Sequence, residues 1–363
     1  MFDSITIQNV KLKNRLVMAP ITTWSSNDDY SVSDEELAFF GLRNKGVGMI
    51  ITGSARVMPN GIGFTNEFSV DSDKFLPGLS AQASRIQEHG AKAILQIYHA
   101  GNKALPFLTN DVVSSSPVKT EETELVDGVV PRELTDSEIV EVIKAFGEAT
   151  RRAIKAGFDG VEIHGAHGFL IQNFLSPFSN KRSDRWGGSL ENRLHFPLAI
   201  VEEIQKTIDQ YATKDFILGY RISPDEPMEG GLQVADTLVL AQRLSQMGVG
   251  YIHLSLEDAG VSKPIGIDQT YVALFAEKIA GKSRLMATGS VQSKAGIEQV
   301  LAEGADLVGI GRALVSDPQF VEKIKANQPV NLSISKTHAA QLQLPEKMMP
   351  AIQSMGNWFE FED

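Results

Sequence analysis

The apolar positions of this chain come in short unbroken runs rather than in alternation. They are LVMA (16–19), VGMIIT (47–52), AKAILQI (91–97), GVEI (160–163), FILGYRI (216–222), YIHLS (251–255), RLMAT (284–288) and DLVGIG (306–311). Runs of this kind suit strands of a parallel sheet that is covered on its outer side. Helix-type stretches separate them, among them SDEELAFFGLRNKG, DSEIVEVIKAFGEATRRAIKAG, LENRLHFPLAIVEEIQKTI, VADTLVLAQRLSQMG and SKAGIEQVLAEG. Several start after Ser or Asp and end in Gly, the usual start and stop residues of helices. KAGFDGV, QMGVGYI and AEGADLV repeat one helix–Gly–strand junction.

Eight strand–helix units predict an α/β chain closed into a TIM (β/α)8 barrel, for which roughly 250 residues is typical. A doubly wound open sheet is the competing architecture, less suited to eight evenly spaced units. The 363 residues read as a single domain, 1–363, with no linker to divide it. The excess over a bare barrel falls in an N-terminal hairpin (1–15), a long insertion after the third strand (99–135, rich in Pro, Ser, Thr and Glu) and a C-terminal tail (328–363).

Charge narrows the partners. With 34 Lys and Arg against 45 Asp and Glu, the formal net charge is −11. An acidic surface disfavours nucleic acid and anionic membranes. No apolar run approaches the ~20 residues of a membrane span, and the N-terminus lacks a signal-peptide core, so a cytoplasmic location is expected. The chain has no cysteine, which excludes disulfides, Fe–S clusters and thiolate zinc sites.

In a barrel of this kind the functional residues sit just after the strands. The first strand leads into Pro20, Ile21, Thr22 and then Trp24; the second into Gly53 and Ser54, small enough for a flat ligand to approach. The third ends at Gln96, a donor and acceptor together, followed by Tyr98. The fifth ends at Arg221, a cation that needs an anion, with Glu162 or Asp225 as internal alternatives. The seventh and eighth end in Gly289-Ser290 and in Gly309-Ile310-Gly311-Arg312. Glycine-rich loops after these last two strands are where such barrels bind phosphate.

The fourth strand ends in HGAH, with His164 and His167 three apart. Metal ligation would require further ligands, and no HExxH motif is present. Two N–H donors for an oxygen that gains negative charge are the better reading. The barrel mouth thus suits a phosphorylated planar cofactor and a substrate oxygen. A lyase or isomerase that uses the phosphate seat for a sugar phosphate, without a flavin, with the histidines as acid and base, remains open on these residues, as does a weakly active flavin-binding sensor protein.

The segment HGAHGFLIQNFLSPFSNKRSDRWGGSLENR (164–193), together with LKNRLVMAP (12–20) and GIGRALVSDP (309–318), resembles the Old Yellow Enzyme family. The resemblance implies a TIM barrel with noncovalent FMN, reduced by NADH or NADPH. The reduced flavin then passes hydride to the β-carbon of a small enone-type substrate. It places Ala19, Pro20 and Ile21 against the isoalloxazine and Thr22 at its O4 edge, with Ser54 near the ring. Gln96 meets the pyrimidine portion and Arg221 its N1/O2 side. Gly289, Ser290, Gly311 and Arg312 hold the phosphate, while His164 and His167 hold the substrate carbonyl. Trp24, Tyr98 and Phe169 line the substrate pocket.

Two positions depart from the family pattern. Phe169 stands where many relatives have a proton-donating Tyr, which leaves Tyr98 or water as the source. Trp24 stands where a Tyr is common. The ending MGNWFEFED lacks the Arg that some bacterial relatives insert into a neighbouring subunit, so a homo-oligomer is compatible with the sequence but not specified by it. The polar stretch SNKRSDRWGGSLENR is expected to scaffold the loop after strand four rather than to enter the site.

Overall fold

The computed structural model describes residues 1–122, 128–335 and 338–362; small parts of the expected insertion and tail, 123–127, 336–337 and 363, lie outside them. Eight parallel strands form a closed barrel. They are β1 (Leu16–Met18), β2 (Met49–Arg56), β3 (Lys92–Tyr98), β4 (Gly160–Gly165), β5 (Ile217–Ile222), β6 (Tyr251–Ser255), β7 (Arg284–Thr288) and β8 (Leu307–Ile310). β8 pairs with β1 to close the ring. The open-sheet alternative is thereby set aside.

The barrel helices are amphipathic in the way the sequence requires. The longest described helix but one, α1 (Asp136–Ala156), buries Ile139, Val142, Ile143, Phe146 and Ala153 on one stripe. Its start is fixed by a capping box between Thr135 and Glu138, and Gly157, at φ 91°, ends it in the left-handed conformation that glycine adopts without strain. No described helix is long and apolar enough to cross a membrane.

Inward-facing positions recur every second residue along a strand. The lowest interior layer holds Val17, Met49, Ile51, Ile94, Ile217, Tyr251, Met286 and Leu307. A hairpin of Ile5–Ile7 and Val10–Leu12 adds Ile5, Ile7, Val10 and Leu12 to that cluster. It closes the N-terminal end of the barrel with apolar surface.

Higher up, the same alternation presents Gln96 on β3, Glu162 and His164 on β4, Arg221 on β5 and His253 and Ser255 on β6. β2 is the exception. Its pairing with β3 shifts between Ile51 and Ser54, a bulge that adds one residue. Without it, Gly53 would take the inward position that Ser54 occupies.

Candidate active site

The strand ends surround a cavity of about 660 Å3. Its wall takes Ala19, Pro20, Ile21, Thr22 and Trp24 from the end of β1, Ser54 from β2 and Gln96 from β3. β4 and its loop supply His164, His167 and Phe169; β5 supplies Arg221. The last two loops supply Gly289, Ser290, Gly311 and Arg312. A second cavity of about 740 Å3, lined by Lys103, Gln172 and Glu226 among others, shares Phe64, His167 and Phe169 with the first.

Tyr98 is the one candidate that does not line the first cavity. It is fully buried behind Phe169, with ring centroids 5.1 Å apart. Its hydroxyl donates to the Glu67 carboxylate and accepts from the Gly63 N–H at 2.9 Å. Burial first, and then Glu67, raise the phenol well above the usual tyrosine range. The expectation that Tyr98 faces substrate is therefore corrected: Glu67 turns its polar end away.

The imidazoles of His164 and His167 lie with ring centroids 4.8 Å apart. Burial, followed by the mutual repulsion and the Arg221 charge, holds His164 well below the usual histidine range; for His167 the causes are burial, Arg221 and Lys103. Both are neutral at pH 7. The Ala166 N–H donates to His164 Nδ1 at 3.3 Å, so the His164 proton resides on Nε2. His167 Nε2 meets Ser255 Oγ at 2.7 Å, and Arg221 Nη2 donates to that same oxygen at 2.9 Å. Ser255 Oγ has one proton and two lone pairs, so it accepts from Arg221 and either donates to His167 Nε2 or accepts from it; Nδ1 is the His167 ring nitrogen with no protein hydrogen bond among the described residues.

Arg221 forms no ion pair with Glu162 or Asp225 within 4 Å, the internal partners considered from sequence: Glu162 is engaged by Gln96 and His253, and Asp225 by the Tyr271 hydroxyl. Burial lowers the guanidinium to about 10, with Glu162 opposing the shift, so it is a cation at neutral pH. Its Nε has no hydrogen-bond partner. A buried cation with an unused donor, in a cavity wall, is suited to an acceptor on a ligand.

At the far end, Ser290 Oγ donates to the Glu257 carbonyl at 2.7 Å and accepts from Arg312 Nη2 at 3.2 Å. Arg312 Nη1 donates to the Trp358 carbonyl at 2.9 Å. Trp358 and Met355, from the tail, complete this wall. Gly309 is required on space grounds, since a Cβ there would stand 1.8 Å from Thr288 Oγ1.

The stretch after strand four scaffolds from outside the first cavity. Asn180 Nδ2 donates to the carbonyls of Phe174 (2.6 Å) and Trp186 (2.8 Å). Trp186 Nε1 donates to Asp136 at 2.7 Å, and Arg193 Nε to the Leu175 carbonyl at 2.7 Å.

Sequence reasoning did not single out Phe64, Ser255, Met355 or Trp358 as site residues, nor did it give a site role to Thr288, His253 or Glu162. Ser255 and Thr288 close strand runs, and Glu162 and His253 are polar residues inside apolar runs, so their strands carried a signal. Phe64 and the tail residues come from elsewhere in the chain and carried none.

Comparison with known proteins gives the family. The profile of the NADH:flavin oxidoreductase / NADH oxidase family matches residues 1–331. The chain belongs to that family, the Old Yellow Enzyme family of the sequence reading. It is 40% identical to the probable NADH-dependent flavin oxidoreductase YqiG of Bacillus subtilis (strain 168), over 100% of this chain and 98% of that one. It is 37% identical to an NADPH dehydrogenase of Halalkalibacterium halodurans, over 88% and 92%. Among solved structures, the old yellow enzyme from Trypanosoma cruzi matches with a TM-score of 0.79 at 25% identity, covering 91% of this chain and 93% of that one. As a family member the chain is an oxidoreductase that uses FMN with NAD(P)H as reductant. The flavin-free lyase or isomerase reading is overturned by this membership.

The residues fit FMN. The cavity volume lies within the ~300–1,000 Å3 of small-ligand pockets. Gln96 and the Arg221 guanidinium, both in the cavity wall, offer donors to a ring edge, and the two glycine loops with Arg312 leave room and positive charge for a phosphate.

Proposed function

We propose that this protein is an ene-reductase of ping-pong type. NADH or NADPH reduces the cofactor and departs, and an α,β-unsaturated carbonyl compound then accepts hydride at its β-carbon. FMN, when bound, supplies that hydride. The observation that carries the reading is the neutral imidazole pair, each ring with one nitrogen that makes no protein hydrogen bond among the described residues, in the wall of the cavity that holds Arg221 and Gln96.

The two imidazoles hold the substrate carbonyl oxygen and stabilise the negative charge it gains. Preorganised donors of this sort are worth about 2.7–4 kcal/mol each. Ser255 orients His167, and the Ala166 N–H fixes His164. When FMN is bound, Ala19, Pro20, Ile21, Thr22 and Ser54 would line its ring, Gln96 and Arg221 would offer donors to its pyrimidine edge, and Gly289, Ser290, Gly311 and Arg312 would hold the phosphate. Trp24 and Phe64, packed edge to face at 6.0 Å, and Phe169 shape the substrate side. Phe169 has no proton to give and the Tyr98 hydroxyl is committed to Glu67, so water entering from the mouth protonates the α-carbon.

The test is anaerobic. NADH or NADPH bleaches the flavin absorbance, and cyclohexenone or a maleimide restores it. If no activated alkene reoxidises the flavin, the assignment is wrong.

A further inference from the structure

Beneath the cavity a chain of side chains, all buried except the half-buried Thr288, crosses the barrel from β2 to β7. Ser54 Oγ donates to Gln96 Oε1 at 2.7 Å, and Gln96 Nε2 donates to Glu162 Oε1 at 2.7 Å. On the other side, His253 Nδ1 lies 2.9 Å from Glu162 Oε2, and His253 Nε2 lies 2.7 Å from Thr288 Oγ1. Glu162 and His253 are both fully buried.

The direction of every bond in this belt follows from one fact. A carboxylate accepts only. Burial pushes Glu162 up, but His253, Arg221 and the bonds from His253 and Gln96 outweigh it and hold the group below its ordinary range, as an anion. Gln96 must then turn its amide nitrogen to Glu162 and its oxygen to Ser54. His253 must carry its proton on Nδ1. Burial keeps that imidazole neutral, so Nε2 is an acceptor and Thr288 donates to it. Both arms of the belt point at Glu162. What remains toward the cavity is the second N–H of Gln96, and beside it Arg221, whose countercharge is Glu162 without direct contact.

We propose that Glu162 and His253 are positioning residues for the cofactor: His253 fixes the Glu162 carboxylate, which sets the donor orientation of Gln96 and tempers the charge that Arg221 presents to the flavin. The inference rests on the placement of the flavin pyrimidine edge at Gln96 and Arg221, and is independent of which alkene is reduced. A buried anion beneath that edge opposes the extra negative charge of reduced flavin, so the belt holds the potential down.

The experiment measures the midpoint potential and the FMN dissociation constant of the holoenzyme and its variants, with folding checked by circular dichroism. In Glu162→Gln the potential rises, because reduced FMN gains on oxidised FMN by about tenfold, which is about 30 mV for a two-electron couple. His253→Leu, which removes the donor that keeps Glu162 in its anionic form, lets the carboxyl take up a proton and moves the potential in the same direction. His253→Asn, which returns an N–H near the same place, brings it back toward the unsubstituted value. An unchanged potential in Glu162→Gln, or in His253→Leu where the first variant does not retain FMN, overturns the proposal. So does His253→Asn shifting as far as His253→Leu. Gln96→Leu separates the two levels. If it alters FMN binding or the potential while the Glu162 and His253 variants change neither, the belt is structural only. If it also leaves binding and potential untouched, the placement of the ring edge fails and the proposal with it.

Discussion

The two ends of the barrel are built from the same strands and solve opposite problems. β6 shows both: Tyr251 faces the apolar bottom layer, His253 the belt, and Ser255 the cavity. At the bottom, Ile5, Ile7, Val10 and Leu12 of the hairpin meet a layer that is apolar apart from the Tyr251 hydroxyl, and the gain is removal of that area from water, about 25 cal/mol per Å2. At the mouth, a carboxylate, a guanidinium and three imidazoles are held in or near a low-dielectric interior, where desolvation is costly unless each finds partners. The lesson is a division of labour along one strand. The bottom supplies stability without chemistry, and the mouth uses part of that stability to keep charged and neutral donors aimed.

Substitutions at each end should therefore separate activity from stability. The largest effect is expected from His164→Ala with His167→Ala: single changes lower enone turnover by about 10²–10³-fold per donor, and the pair by more. Flavin reduction by NAD(P)H and thermal stability change far less. Stopped-flow measurement of the two half-reactions checks this, and equal losses in both half-reactions would contradict the assigned role. Leu12→Ala is the mirror image. It removes a fully buried side chain and costs about 2–5 kcal/mol, read by denaturant unfolding, while turnover at a permissive temperature stays near that of the unsubstituted protein. A change in turnover comparable to that of the His164 variant would erase the distinction between the two ends.

Phe169→Tyr sharpens the mouth. A hydroxyl between the His pair and the second cavity provides a proton donor where the native chain has none. Turnover with cyclohexenone is expected to rise by about 10-fold, below the ~10²–10⁴ of a fully optimised general acid. A solvent isotope effect that shrinks in the variant would show that protonation had been limiting. No rise means that water already suffices.

The smallest effect concerns pH. His99, buried at the start of the insertion, accepts from the Gly101 N–H at Nδ1 and contacts Asn60 through Nε2. Burial lowers it to about 4. The unfolded chain takes up a proton near pH 6.5 and the folded one does not, so this residue's contribution to stability falls as pH drops from about 7 to about 4. Buried Glu36 and Glu67, both raised to about 7 by burial, act in the opposite sense over much of that range. The contribution is isolated as a difference: the stability advantage of the unsubstituted protein over His99→Gln should narrow on acidification from pH 7 to pH 5. A constant difference would mean that His99 titrates normally.

Much of this was readable in the chain because a parallel strand covered on both faces is an unbroken apolar run. The strands begin and end within a few residues of those runs, the largest extension being β2, which continues to Arg56 past its bulge. The residues just after the runs were legible as cavity wall for the same reason, since a closed barrel leaves its strand ends one common place to meet. Tyr98 misled because the alternation that put it near Gln96 does not report the Glu67 carboxylate, contributed by a loop thirty-one positions earlier in the chain. Trp358 and Met355 were invisible as wall because the tail reaches the cavity through a parallel pairing of Ser333–Ser335 with Glu360–Glu362, a long-range contact with no local pattern.

The sequence by itself determined the number and order of the strand–helix units, the exclusion of thiol chemistry, and the identity of the histidine pair, because those depend on periodicity, composition and short spacing. Only the tertiary structure decided which nitrogen of each histidine is free, that Tyr98 points away, and that Glu162 is the acceptor on which Ser54, Gln96, His253 and Thr288 converge. Those outcomes depend on which hydrogen-bonding group each side chain meets across the barrel, and that is settled when the strands close and the interior loses its water.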